Sequence, residues 1–172
     1  MSQFDIAFER TVGHEGGYTA DPKDRGNWTS GVIGTGELKG TKYGISAMSY
    51  PKVDIKNLTV EQAKVIYKTD FWSNRNLDNY PKALQFQLFD ANVNHGWTNT
   101  AKMLQKALEV TQDGIVGPNT LAKLSAADEV EVAIKFLSAR LTFLTAISTF
   151  NTYGKGWTNR VANNLLLLTQ DF

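Results

Sequence analysis

The stretch His14-Glu15-Gly16-Gly17-Tyr18 follows Phe4-Asp5-Ile6-Ala7-Phe8-Glu9-Arg10-Thr11-Val12. Phe4, Phe8 and Val12 recur every four residues, with Ala7 and Thr11 beside them, which is the period of a helix with one apolar face. Gly16 and Gly17 are expected to end that helix, because glycine adopts the left-handed conformation at no steric cost. Glu15 then falls on the last turn, near the negative end of the helix dipole, where a carboxylate is disfavoured. If it also faces a partly apolar cleft, both effects raise its pKa and make it a proton donor near neutral pH. Taken alone, Glu-Gly-Gly fits an exposed helix end with no role better than a catalytic one.

Downstream, residues 19–58 carry Pro22, Pro51 and the glycines Gly26, Gly31, Gly34, Gly36, Gly40 and Gly44. Val32-Ile33 and Tyr43-Gly44-Ile45 are expected as short strands joined by turns. A loop this long in a compact domain is usually functional or disordered. Trp28, Ile33, Leu38 and Tyr43 argue for order.

Helix signals return at Thr59, whose hydroxyl and Gln62 form a capping box. Ala63, Ile66 and Tyr67 give that helix its apolar side. Pro81 opens a second helix with Leu84, Leu88 and Ala91 in a wide apolar stripe, ending near Asn94-His95-Gly96. Thr98 is expected to cap the next, with Ala101, Leu104 and Leu108 inward. Asp113-Gly114 makes a turn, and Pro118 starts a helix through Leu121 and Leu124. From Glu129 to Phe150 a long helix is expected, with Val130, Ala133, Ile134, Leu137, Leu141 and Leu144 inward and a break at Gly154 to Gly156. The last segment, with Val161 and Leu165 to Leu168, reads as a terminal helix packed on the core. The other reading is an interfacial helix touching a membrane, with Lys155 and Arg160 supplying positive charge. The fold class is therefore mainly α, a helical domain with a small β-hairpin region after the first helix.

Composition bounds the function. The 172 residues hold 42% hydrophobic and 20% charged side chains, as in soluble globular proteins. A net charge of +1 gives no basic excess of the kind nucleic-acid binding requires. There is no cysteine, and His14 and His95 match no zinc spacing, so no metal and no cofactor are expected. The N-terminal residues do not read as a secretory signal, and no apolar run approaches a membrane span.

Asp24 lies nine residues after Glu15, and Thr41-Lys42-Tyr43-Gly44-Ile45 lies further along the same loop. Cleaving a glycosidic bond needs a proton donor for the leaving oxygen. It also needs a second group to activate water or steady positive charge at the sugar carbon. Two carboxyls, one at a helix end and one on the adjoining loop, can flank such a bond, with the Thr41 hydroxyl holding the attacking water. Asp21 and Glu37 are further acids in the loop. Asp24 reads equally as a turn-forming Asp before glycine.

Glu15-Gly16-Gly17-Tyr18, Asp21-Pro22, Asp24-Arg25-Gly26, Gly40-Thr41-Lys42-Tyr43-Gly44-Ile45-Ser46 and Tyr50-Pro51 together resemble glycoside hydrolase family 108. Its members are lysozyme-like muramidases of phage endolysins and of bacterial secretion-associated proteins. The likeness continues through Ala63, Ile66-Tyr67 and Phe71-Trp72 into Phe89-Asp90, Val93-Asn94 and Gly96. Beyond, Leu104-Gln105, Asp113-Gly114, Gly117-Pro118, Thr120-Leu121 and Gly156-Trp157 resemble the helical peptidoglycan domain that accompanies the family. A catalytic region over residues 1–95 and a peptidoglycan-domain-like region over 96–172, packed into one globule, are expected.

The resemblance implies an α+β lysozyme-like fold, with Glu15, Asp24 and Thr41 catalytic. Substrate-binding candidates are Tyr18, Tyr43, Gly44 and Asn94. The two tyrosine rings would line a sugar cleft or serve the core, and Asn94 would bind an N-acetyl group or cap its helix. His95 is expected to be structural and Asp90 to satisfy backbone or hydroxyl donors. Residues 26–40 depart from the short turn of many members and make Thr29 a rival to Thr41. The partner implied is bacterial peptidoglycan, with no nucleic acid, a monomeric protein, and at most transient membrane contact through the C-terminal helix. The implied setting is synthesis in a host cytoplasm and action in the periplasm after holin-dependent release. A lytic transglycosylase and a non-catalytic wall-binding or secretion-assisting protein are the competing functions.

Overall fold

The computed structural model describes residues 1–13 and 16–171. Its packing forms two compact units, residues 1–74 and 75–172. The first unit begins with α1 (Gln3–Thr11), capped by Ser2 and Asp5 in a reciprocal box. Phe4, Ala7 and Phe8 are its buried face, as the four-residue period requires. The helix closes earlier than expected. Gly13, at φ 62°, turns the chain left-handed, and its N–H reaches the carbonyl of Phe8. Gly16 and Gly17 therefore play no part in ending α1. The premise that put Glu15 on the last helical turn falls with this, and Glu15 itself, like His14, lies outside the described residues.

A two-stranded antiparallel hairpin follows, β1 (Thr41–Lys42) and β2 (Ile45–Ser46). Tyr43 and Gly44, expected within a strand, form the turn instead. Both have positive φ, 51° and 75°, the pattern of the tight turn that suits strand twist. Val32 and Ile33 are also not a strand, since both are exposed at the tip of a loop. That loop is ordered at its base, where Trp28 bridges Leu38 and the Thr29 N–H donates to the Glu37 carbonyl.

The unit ends with α2 (Val60–Tyr67), opened by the expected Thr59–Gln62 box. A wider helical turn over Lys68–Trp72 follows it. Phe4, Phe8, Tyr67 and Trp72 form an aromatic core with ring centroids 5.6 to 6.1 Å apart.

The second unit is helical. It contains α3 (Lys82–His95), α4 (Trp97–Ala107), α5 (Pro118–Ser125), α6 (Glu129–Thr145) and α7 (Phe150–Leu168). Residues 83–92 of α3 are all buried, which makes it the central helix, and α4 and α6 pack on it. Gly96 at φ 75° both ends α3 and caps α4. Thr98 is therefore inside α4 and not its cap. Ala101, Leu104 and Leu108 face inward as expected.

Asp113-Gly114 is a turn, and Pro118 is the first residue of α5. Gln105, buried on α4, ties this turn down. Its Nε2 donates to Asp113 Oδ1 and the Ile115 carbonyl, and its Oε1 accepts from the Gly114 N–H.

Two inward assignments on α6 fail, because Ile134 and Leu141 are exposed, and Leu121 of α5 is exposed as well. On α6 the buried face is Val132, Ala133, Phe136, Leu137, Arg140 and Leu144. A charged residue sits on that face, so a purely apolar pattern misplaces it. The break also falls elsewhere. α6 ends at Thr145, and α7 runs straight through Gly154 and Gly156. Gly154 is there for close packing, since a Cβ on it would lie 2.7 Å from the Phe150 ring. Of the four terminal leucines Leu168 is buried, while Leu165 and Leu166 are exposed. No helix among the described residues is long and apolar enough to cross a membrane.

Candidate active site

Three short pieces of the first unit are laced together around one buried side chain, Asn27. Asp24 opens a 3₁₀ turn over Arg25–Asn27 by accepting the Gly26 N–H on Oδ1 at 2.8 Å. This is the turn-forming role of an Asp before glycine. It takes up one carboxylate oxygen. Oδ2 has no partner among the described residues, and Asp24 is exposed.

Asn27 ends that turn and is fully buried. Its N–H donates to the Asp24 carbonyl, and its own carbonyl accepts from the N–H groups of Lys39 and Gly40. Its side-chain Nδ2 donates to the Asp21 carbonyl at 3.0 Å, and its Oδ1 accepts the Thr41 hydroxyl at 2.7 Å. Every polar atom of Asn27 is therefore satisfied, as burial demands.

The consequence for Thr41 is directional. A hydroxyl has one proton and two lone pairs. With the proton committed to Asn27, the Thr41 oxygen faces anything else as an acceptor. Thr41 is also held by its backbone, which exchanges both hydrogen bonds with Thr19 at 2.8 and 2.9 Å. The rival, Thr29, uses its oxygen to accept the Glu37 N–H at the base of the loop.

The segment after Glu15 is pinned to the same hairpin. The Gly16 carbonyl accepts the Tyr43 N–H at 3.0 Å. A Cβ on Gly16 would sit 2.7 Å from Tyr43 Cα, so only glycine allows this approach. At the other end a Cβ on Gly40 would come 2.3 Å from the Thr19 carbonyl oxygen. Tyr18 lies between these contacts, 39% exposed, with its ring alongside Gly40.

Tyr43 and Gly44 are both explained by the turn. The Tyr43 carbonyl accepts the Tyr67 hydroxyl, whose pKa burial pushes up to about 12. A Cβ on Gly44 would meet that same hydroxyl at 2.5 Å. Asp24, Thr41, Tyr18, Tyr43 and Gly44 are thus gathered on one small framework. Glu15 and His14 lie outside the described residues. Asn94 belongs to the second unit, where its Nδ2 donates to the Asp90 carbonyl one turn back on α3.

Sequence patterns had no means of singling out Asn27, since its partners lie fourteen residues on and six back. The one available signal was its place at the end of an Asp-x-Gly turn.

The profile described as "Glycosyl hydrolase 108" matches residues 8–96, just over half of the chain. The chain belongs to glycoside hydrolase family 108. It is 30% identical to the protein in the solved structure of Brucella abortus SagA, covering 98% of this chain and 94% of that one, with a TM-score of 0.78. No curated protein matches it. Membership makes the chain a glycoside hydrolase with a lysozyme-like, peptidoglycan-hydrolysing function. The matched segment covers the whole Asn27 framework and α3.

In the second unit, Asp90 does not meet the backbone or hydroxyl donors expected of it. It accepts from Arg140 Nη1 at 2.6 Å, from Arg160 and from Asn164 Nδ2 at 2.9 Å. Burial pulls its pKa up, but the hydrogen bond from Arg160 and the charges of both arginines win and hold it at about 2. His95 is structural, as expected. Its Nε2 accepts from Arg140 Nε at 3.1 Å, and its ring packs edge-on against Phe143. Burial, then the Arg140 charge, lowers its pKa to about 4. It is a neutral acceptor in this fold. Among the described residues no group of His, Asp or Glu side chains converges to hold a metal ion.

Proposed function

We propose that this family 108 hydrolase is an N-acetylmuramidase, cutting the β-1,4 bond between N-acetylmuramic acid and N-acetylglucosamine. Glu15 protonates the leaving oxygen. Asp24 presents its free Oδ2 to the attacking water or to the charge developing at the sugar carbon, and Thr41 accepts a hydrogen bond from that water. The observation that supports this reading most is the Asn27 link. It fixes the direction of the Thr41 hydroxyl and ties Thr41 to the turn carrying Asp24. Tyr18 offers an exposed ring edge to the glycan on the same framework.

Water attack distinguishes this reading from a lytic transglycosylase, in which the substrate's own hydroxyl closes an anhydro-sugar. Two acceptors on one framework, Asp24 Oδ2 and Thr41 Oγ1, suit an attacking water and support hydrolysis. Mass spectrometry of digested peptidoglycan tests it: reducing-end products are expected, and anhydro-muramyl products would refute it. An endolysin role, with release to the wall through a holin, is the biological setting proposed for the activity. Protein added from outside is expected to clear permeabilised cells but not intact ones, and protein made inside cells is expected to lyse them only when a holin is co-expressed.

A further inference from the structure

Arg140 has more hydrogen-bonding capacity than the fold uses. It is 1% exposed on the buried face of α6. Nη1 donates to Asp90 and Nε to His95. The remaining terminal nitrogen, Nη2, has no acceptor among the described residues. Nη2 is not one of the enclosed side-chain atoms left without a partner, so it meets the accessible space of the cavity that Arg140 lines.

Arg140 lines a cavity of about 210 Å³ within the second unit. Arg160 contributes to the same wall. Leu144, Ile147 and Trp157 supply an apolar side, and Thr149 stands at the start of α7. The Thr149 side chain makes no capping bond, so this end of a 19-residue helix adds partial positive charge beside the guanidinium. The cavity is smaller than drug-sized sites of roughly 300–1,000 Å³. A guanidinium edge beside an apolar wall matches a carboxylate bearing a small aliphatic group.

We propose that this cavity binds the free carboxylate end of a peptidoglycan stem peptide, a terminal D-alanine. The methyl group lies against Leu144 and Ile147, and the carboxylate accepts from Arg140 Nη2. The choice of a stem peptide rests on the peptidoglycan-hydrolase reading. The fit to a carboxylate does not.

The test titrates D-alanyl-D-alanine into the intact protein and follows the His95 ring and Trp157 indole signals by NMR. Saturable shifts are expected, at least tenfold weaker with the C-terminal amide of the same dipeptide. Thr149→Glu, which sets a carboxylate at the cavity mouth on an exposed helix end, is expected to abolish the shifts, and Thr149→Gln to retain them. Glu15→Gln should bind the dipeptide as the parent does, which separates failure of this site from failure of the catalytic assignment. Equal binding of acid and amide, displacement by sulfate at the same concentration, or unchanged binding in Thr149→Glu would each overturn the proposal.

Discussion

Acidification gives the sharpest view of the buried polar network, because His95 and Asp90 lose their contributions in different pH windows. The His95 pKa is lowered in the folded protein from 6.5 to about 4. A lowered pKa means that the fold favours the neutral ring. The associated stability is fully present above pH 6.5 and is lost as pH falls towards 4, because the unfolded chain takes up the proton first. The gap, at about 1.4 kcal/mol per unit, corresponds to about 3 kcal/mol, and partial solvent access makes about 2–3 kcal/mol the working figure. Asp90 adds nothing in that window, since its own contribution fades only between pH 3.8 and about 2.

The perturbation that isolates His95 is His95→Gln, whose side-chain oxygen can still accept from Arg140 Nε but does not titrate. Urea denaturation at pH 7, 5.5 and 4 is the assay. The parent should lose about 2–3 kcal/mol more than the variant between pH 7 and 4. If both lose the same amount, the neutral, Arg140-bonded ring is not what the fold contains.

Further outcomes follow from the packing. Asp90→Asn leaves Arg140 buried without its counter-charge and should cost about 3–5 kcal/mol by denaturant midpoint. Asn27→Ala removes the acceptor for Thr41 and the donor to Asp21, and should cost about 2–4 kcal/mol. A double-mutant cycle with Thr41→Val should show coupling of about 0.5–3 kcal/mol. Gly40→Ala puts a Cβ against the Thr19 carbonyl at φ 83°. It should cost about 2–5 kcal/mol and lower the digestion rate by disturbing Thr41.

What was legible in the sequence was local. The capping box at Thr59–Gln62, Pro118 at a helix start, the Asp113-Gly114 turn and the buried face of α1 each depend on residues within a turn or two. The end of α1 was misread because three glycines lie close together, and Gly13 comes first. α7 was split at Gly154 because glycine as a breaker and glycine as a packing residue look alike until Phe150 is placed against it. The α6 face was rotated because Arg140 reads as a surface residue, and only the folded chain brings Asp90, Arg140 and Arg160 together. Asn27 stayed hidden for the same reason. The compact units divide at 74/75 and place α3 with the later helices, whereas the family match runs on to 96. Packing and family extent are thus separate properties of this chain.

Digestion of purified peptidoglycan by the parent and by Glu15→Gln, with product masses recorded for both, bears most directly on the account. The parent should release muropeptides with reducing ends, and the variant, which keeps the size and polarity of the side chain but has no proton to give, should release them at least a hundredfold more slowly. Reducing-end products from Glu15→Gln at the parental rate would contradict it.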